Sequence, residues 1–215
     1  MREVKHQKIT IYLDNNIWDF LFENQINIHD EFPTELFDIC ITKEVSFETE
    51  AIKNQQEKIE FIRSARDRGV KVRSLFGFKD ERHSEEKQRS GGWDEGFWSC
   101  SEIENFRATL KERFSREDQA KKASTDLYKN EADIDLAARS VVDIVLSLDE
   151  KRGSTNGPLN VAFEAGHNIV FLTDFLPQSE SLRNFVAQNI RNSQKKALIQ
   201  QLLTSKTNKI GEVSS

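Results

Sequence analysis

The stretch Lys8-Ile9-Thr10-Ile11-Tyr12-Leu13-Asp14-Asn15-Asn16 decides how this chain is read. β-Branched and aromatic residues fill Ile9 to Leu13, and polar residues close the run abruptly. That is the pattern of a buried strand giving way to a helix start. Asp14 therefore stands at a strand's carboxyl end. An aspartate there is usually a cap or turn residue, so it gains meaning only if other acidic residues are brought to the same place.

Working outward, Ile17 to Phe22 reads as a first helix and Phe37 to Ile41 as a second strand, with Thr42 as the cap of the next helix. From Lys43 to Arg68 the apolar positions Val45, Phe47, Ala51, Ile52, Ile59, Phe61, Ile62 and Ala65 predict a long helix stopped by Gly69. Val70 to Leu75 alternates as a third strand. Alternating strands and helices predict an α/β fold with a mainly parallel central sheet flanked by helices in three layers. Between Gly77 and Ser99 the pattern breaks into a loop that carries Trp93 and Trp98 among glycines, readable as a substrate-facing flap or as an insertion pinned by its aromatics. Helices are expected at Ser101–Phe114, Arg116–Tyr128 and Ala132–Leu148, then a short helical piece near Val161. The strand Asn168–Thr173 ends at Asp174, and a basic amphipathic helix runs from about Ser181 to Leu203. The expected organisation is one domain over residues 1–205, with inserted helices and loop over about 77–130 and a flexible tail at 206–215.

Hydrophobic residues make up 37% and charged residues 31% of the 215, a composition that favours a folded chain over a disordered one. The start lacks a signal-peptide pattern and no apolar run is long enough to cross a bilayer, so a cytoplasmic location and no membrane partner are expected. Cys40 and Cys100 have no zinc-ligand spacing and read as packing residues. The net charge of −5 has the wrong sign for bulk electrostatic binding of nucleic acid. Positive charge gathers locally in Arg183, Arg191, Lys195 and Lys196, which reads more readily as a solvated helix face than as a phosphate-binding surface. His6, His29, His83 and His167 suggest no shared site, and His167 beside Gly166 reads as a helix-end residue.

Two strands separated by most of the chain each end in an aspartate, Leu13-Asp14 and Thr173-Asp174. In open parallel sheets such ends face one crevice, and converging carboxylates call for a hard cation such as Mg²⁺ or Mn²⁺ between them. Glu48 and Asp133, each early in a helix, are further candidates. Ile11-Tyr12-Leu13-Asp14-Asn15-Asn16-Ile17 resembles the opening motif of PIN-domain nucleases, with Asn15 where a Thr is usual. Thr42 to Glu48, Asp133-Ile134-Asp135-Leu136-Ala137-Ala138 and Phe171-Leu172-Thr173-Asp174 resemble the second, third and fourth motifs, in the family's order. The chain is longer than compact members, with 84 residues between Glu48 and Asp133 and 40 between Asp133 and Asp174.

The resemblance implies that Asp14, Glu48, Asp133 and Asp174 are both the catalytic and the metal-holding residues, with Asn16, Thr173 and Asp135 in support. Asp135 falls about 200° round the helix from Asp133 and is the weaker ligand candidate; Glu44 and Glu50 are alternatives to Glu48. The implied activity is hydrolysis of RNA phosphodiesters with Mg²⁺ or Mn²⁺, with Trp93 and Trp98 stacking on bases and Arg183, Arg191, Lys195 and Lys196 holding the strand. A DNA or structure-specific nuclease and a non-catalytic interaction module are the competing readings. The family resemblance also raises an antitoxin or other protein partner and a toxin, defence or RNA-processing role, and leaves the oligomeric state open.

Overall fold

The opening strand is the centre of the molecule. In the computed structural model, which describes residues 8–81, 83–93, 96–115, 121–149 and 157–200, β1 (Ile9–Leu13) pairs on one side with β2 (Phe37–Thr42) and on the other with β5 (Ile144–Ser147). Beyond β2 lie β3 (Lys71–Leu75) and the two-residue β4 (Gly96–Phe97); beyond β5 lies β6 (Ile169–Phe171). All pairings are parallel, in the order β4-β3-β2-β1-β5-β6. The sheet is an α/β sheet with helices on both sides, as expected from the alternation of elements.

Leaving β1, the chain builds first toward β2, β3 and β4, then returns past β1 to lay down β5 and β6. The direction of winding therefore reverses between β1 and β5. A crevice opens outside the carboxyl ends of strands at such a reversal, because the two connections leave on opposite faces. Asp14 follows β1, and Ser147 ends β5 with Leu148 and Asp149 after it, so both segments line that crevice.

Each element has a local cause. α1 (Asn15–Glu23) buries Ile17, Trp18 and Leu21, three positions on one helical face, and is capped by Asp14. The short α2 (Ile28–Glu31) is capped by Asn27. α3 (Lys43–Glu50) is capped by the Thr42 hydroxyl, which accepts from Val45 N at 3.2 Å. α4 (Gln56–Asp67) ends at Gly69, whose φ of +129° suits glycine alone. α5 (Ser101–Phe114), α6 (Glu131–Arg139) and α7 (Pro158–Glu164) pack against one another, and α8 (Leu182–Asn189) closes the described fold with Phe185 against Phe175. One hydrophobic core runs from Ile9 to Ile199.

Four expected elements differ. The helix expected over 43–68 is two, α3 and α4, broken where Asn54 takes a left-handed φ of 60° that a short polar side chain tolerates. The helix expected over 132–148 stops at Arg139, and Ile144–Ser147 is a central strand with all four residues buried. A strand covered on both faces has no polar side, so its apolar run continues a helical pattern without interruption. Residues 121–128, expected as helix, are turns with Asp126 at a φ of 61°; residues 116–120 lie outside the described residues. The terminal helix breaks at Ile190, where ψ swings to 134°, and resumes over 193–200; the rest of it and the tail expected at 206–215 lie outside the described residues.

The described residues of the 77–99 segment make contacts among themselves. Gln88 accepts from Asp80 N at 2.8 Å and donates to the carbonyls of Asp80 and His83, while Gly91 bridges to Phe76. Gly96 is required by crowding, since a Cβ there would stand 2.6 Å from both Phe76 Cα and Gly91 O. Cys40 is buried as expected, but Cys100 is exposed at the start of α5 and packs nothing in the core. Among the described residues, no helix is long and apolar enough to cross a membrane.

Candidate functional site

Asp14 is 4% exposed at the mouth of β1. Its Oδ1 accepts from Asn15 N at 2.7 Å, the capping bond of α1, and its Oδ2 accepts from the Ser147 hydroxyl at 2.7 Å. Ser147 closes β5 and also accepts from Asp149 N at 3.0 Å. Asn16 ties the same corner together: its amide donates to Asp149 Oδ1 at 3.0 Å and its carbonyl accepts from Leu148 N at 3.0 Å. The end of β1 and the end of β5 are thus latched by three polar side chains, and Asp149 is held beside Asp14 at the winding reversal.

Asp133 reaches the same crevice from the first turn of α6, and Glu48 from α3. Their electrostatics show the convergence. Burial pushes the Asp14 carboxyl up to about 7, helped by the charge of Asp133 and then of Asp149, against the Ser147 hydrogen bond that favours ionisation. Burial likewise pushes Asp133 up to about 6, with Asp149 and Glu48 adding repulsion and Lys122 opposing it. Lys122, on the turn before α6, pairs with Glu48 at 3.0 Å and is the cation the cluster already holds. Two strand ends and two helices therefore bring four carboxyl groups to one corner, with Asp14 buried, Asp133 and Glu48 half-buried and Asp149 exposed.

The donor set fits a hard divalent cation, because the side chains that meet there are mainly oxygen donors, the carboxylates of Asp14, Asp133, Asp149 and Glu48 with the Ser147 hydroxyl, and the carboxylates repel one another. As the side chains stand, no three of the described His, Cys, Asp and Glu residues are spaced to hold one ion together. Asp14 has both oxygens engaged and Glu48 is paired, which accounts for the open arrangement.

Among the residues expected at the site, Asp14, Glu48, Asp133 and Asn16 come together. Asp174 and Thr173 do not: they are exposed beyond β6, one strand further out, and line a separate cavity with Phe163, Gln188 and Arg191. The carboxylate that stands where Asp174 was expected is Asp149, from the neighbouring strand. Asp135 points away from the crevice; despite its burial, Arg139 at 2.8 Å and Arg107 hold its carboxyl below the usual range. Glu50 is exposed and accepts from Ser46, and Glu44 is buried on the Asp135 side.

The basic residues of the terminal segment are tertiary anchors. Arg183 donates to Asp30 O at 3.0 Å, Arg191 to Phe163 O at 2.6 Å while lying over that ring, and Lys196 to Gln188 O at 2.9 Å. Lys195 faces Asp143, which precedes β5 and so marks the sheet's opposite end. These four cations do not face the carboxylates. Trp93 and Trp98 are exposed, and with Phe76 they form a stacked group in which Phe76 and Trp98 lie 4.0 Å apart at 15°. His29 is bonded to Ala65 O and His167 packs on Phe106 after α7, so neither belongs to the site; His6 lies outside the described residues.

Sequence reasoning missed Ser147, Asp149 and Lys122. The signal for the first two was the run Ile144-Val145-Leu146, which places Asp149 just past a strand once it is read as one. Comparison with protein-family models, curated proteins and solved structures found no match for this chain.

Proposed function

We propose that the protein is a divalent-metal-dependent, PIN-like nuclease that hydrolyses RNA phosphodiesters. The observation that carries this reading is the convergence of Asp14, Asp133, Asp149 and Glu48 at the winding reversal of a parallel sheet, with Lys122 as their counter-charge. The exposed Phe78, Trp93 and Trp98 beside the sheet supply faces on which unpaired bases can stack.

Asp14, Asp133, Asp149 and Glu48 would hold Mg²⁺ or Mn²⁺. When bound, such an ion supplies a Lewis acid for the phosphate oxygens and lowers the pKa of water. Ser147 and Asn16 fix the orientation of Asp14 and Asp149 by hydrogen bonds, a role for which outer partners matter nearly as much as ligands. With Asp14 and Asp133 releasing protons only near neutral pH, ion binding and activity increase from mildly acidic to mildly alkaline solution.

The test is cleavage of labelled single-stranded RNA and DNA with Mn²⁺ or Mg²⁺ by the wild type and by Asp14→Asn, Asp149→Asn and Asp174→Asn. The first two substitutions are expected to lower the rate by more than about a hundredfold, beyond the loss of an outer partner, while Asp174→Asn cleaves as the wild type does. Equal rates for Asp14→Asn, Asp149→Asn and wild type overturn the reading; cleavage of DNA in preference to RNA would reassign the substrate.

A further inference from the structure

A second polar cavity lies beside the carboxylate crevice. It has a volume of about 590 Å³ and is built on the same two helices: Glu44 stands one turn before Glu48 on α3, and Asp135 two residues after Asp133 on α6. A volume of that order accommodates a small planar ligand with its attached groups.

Glu44 and Asp135 are each 2% exposed and line this cavity. Buried charge is normally matched atom by atom, and here it is not. Asp135 Oδ1 is 3.3 Å from Arg107 in a poorly aligned ion pair, and Asp135 Oδ1 and Arg107 Nε are both buried without hydrogen-bond partners among the described residues. The floor thus holds an imperfectly paired Asp135–Arg107 couple and, beside it, the buried Glu44 carboxyl, which burial and then the charge of Asp135 push well above the usual carboxylate range. Phe76, Phe78 and Tyr128 form apolar walls, with Phe78 80% exposed. Lys111, exposed, lines the cavity with no ion pair among the described residues.

This combination selects against several ligands. A bare phosphate leaves the aromatic walls uncovered, and an apolar molecule gives the polar lining of Glu44, Arg107, Lys111 and Asp135 no partner. A flat heterocycle with donors and acceptors on its edge satisfies the floor and stacks on the walls, and an attached phosphate lies toward Lys111. We infer that this cavity binds a nucleobase with its phosphate, either as a free nucleotide or as one residue of a single strand. For the strand this rests on the nuclease reading and names what holds the substrate's base; for the free nucleotide it does not.

The test uses the full chain in EDTA, so that no cleavage intrudes, titrated calorimetrically with AMP, GMP, CMP, UMP, ribose 5-phosphate and ten-residue oligoribonucleotides of each base. At least one mononucleotide is expected to bind more tightly than ribose 5-phosphate by about tenfold or more, the contribution of one stacked base. Glu44→Met, which keeps the side chain's bulk, and Phe78→Ala, at an exposed position, should each weaken that binding by about tenfold, while Asp174→Asn, beyond β6, leaves it unchanged. An oligonucleotide that binds more tightly than its mononucleotide and is weakened by the same two substitutions assigns the cavity to the strand; equal affinities assign it to the free nucleotide. No preference for any nucleotide over ribose 5-phosphate, or wild-type affinity in both cavity variants, overturns the inference. Nucleotide binding without metal-dependent cleavage would retain the cavity and reject the nuclease.

Discussion

Replacing Asp14 by Asn should stabilise the metal-free protein at alkaline pH, and by an amount that depends on pH in a defined direction. The Asp14 carboxyl titrates near 7 in the folded chain against 3.8 for an unperturbed aspartate. Because the folded value is raised, the folded state holds a proton that the unfolded state has released, and stability falls as pH rises from about 4 to about 7. Linkage gives a cost of about 1.6 kcal/mol at pH 5 and about 4 kcal/mol at pH 8, the latter an upper limit. Asparagine carries no charge to bury; its oxygen can keep the capping bond from Asn15 N while its amide donates to the Ser147 hydroxyl oxygen. Thermal unfolding followed by circular dichroism in EDTA should therefore show Asp14→Asn melting above the wild type at both pH values, with the gap wider at pH 8. For a chain of this size each kcal/mol moves the midpoint by about 2–4 °C, so the gap at pH 8 reaches at most about 16 °C. An aspartate that served only as the cap of α1 behaves differently, since asparagine caps equally well and the gap would be near zero at every pH. A variant less stable than the wild type at pH 8, or a gap independent of pH, refutes the account of Asp14 as a carboxylate held against repulsion.

Saturating Mn²⁺ should raise the wild-type midpoint, since about 2.7 kcal/mol follows from an ion at a hundred times its dissociation constant; calorimetric scans should show the shift lost in Asp133→Asn and Asp149→Asn but kept in Asp174→Asn, and an equal shift in all four proteins would place the ion elsewhere. Arg139 is fully buried between Asp135, the Tyr12 hydroxyl at 2.6 Å and the Arg73 carbonyl at 3.0 Å. Arg139→Met strands the Asp135 charge and should cost about 3–5 kcal/mol in urea unfolding, with Asp135→Leu in the same chain restoring much of it; a loss that the second substitution deepens would contradict the pairing.

Local pattern located β1, β2, β3 and β6, because each is a short β-branched run bounded by turn residues. It also located Asp14, Glu48 and Asp133. What it could not supply was the order of the strands in space. Leu13-Asp14 and Thr173-Asp174 carry the same local signal, a strand that ends in aspartate, yet only the first borders the winding reversal. Ile144–Ser147 was hidden for a separate reason: it is the neighbour of β1 and buried along its whole length, so its residues extend the apolar face of α6 without a break. Missing that strand removed Asp149 and Ser147 from view and left Asp174 as the remaining acid after a strand. Lys122 is less legible still, for its role depends on a turn meeting Glu48 across 74 positions of sequence.

The two helices α3 and α6 each contribute one acid to the crevice and one to the buried ion-pair side, and the contrast between the pairs separates support from candidate chemistry. Glu44 and Asp135 face two cations, the half-buried Arg107 and the buried Arg139, and Arg139 ties Asp135 to Tyr12. Glu48 and Asp133 face Asp14 and Asp149 with, among the described residues, Lys122 in opposition, so the same residue types one turn along α3 and two residues back on α6 are left with excess charge. A fold tolerates that excess only at some cost in stability, and the cost is removed when a divalent ion enters. Counting acids along the chain cannot distinguish the pairs; the placement of three cations can. It follows that introducing a second cation into the crevice at its exposed edge, by Asp149→Lys, should raise the metal-free stability at pH 8 while abolishing both the Mn²⁺-induced shift and cleavage. An Asp149→Lys protein that still responds to Mn²⁺ as the wild type does would show that charge excess at the end of β5 is not what the site uses.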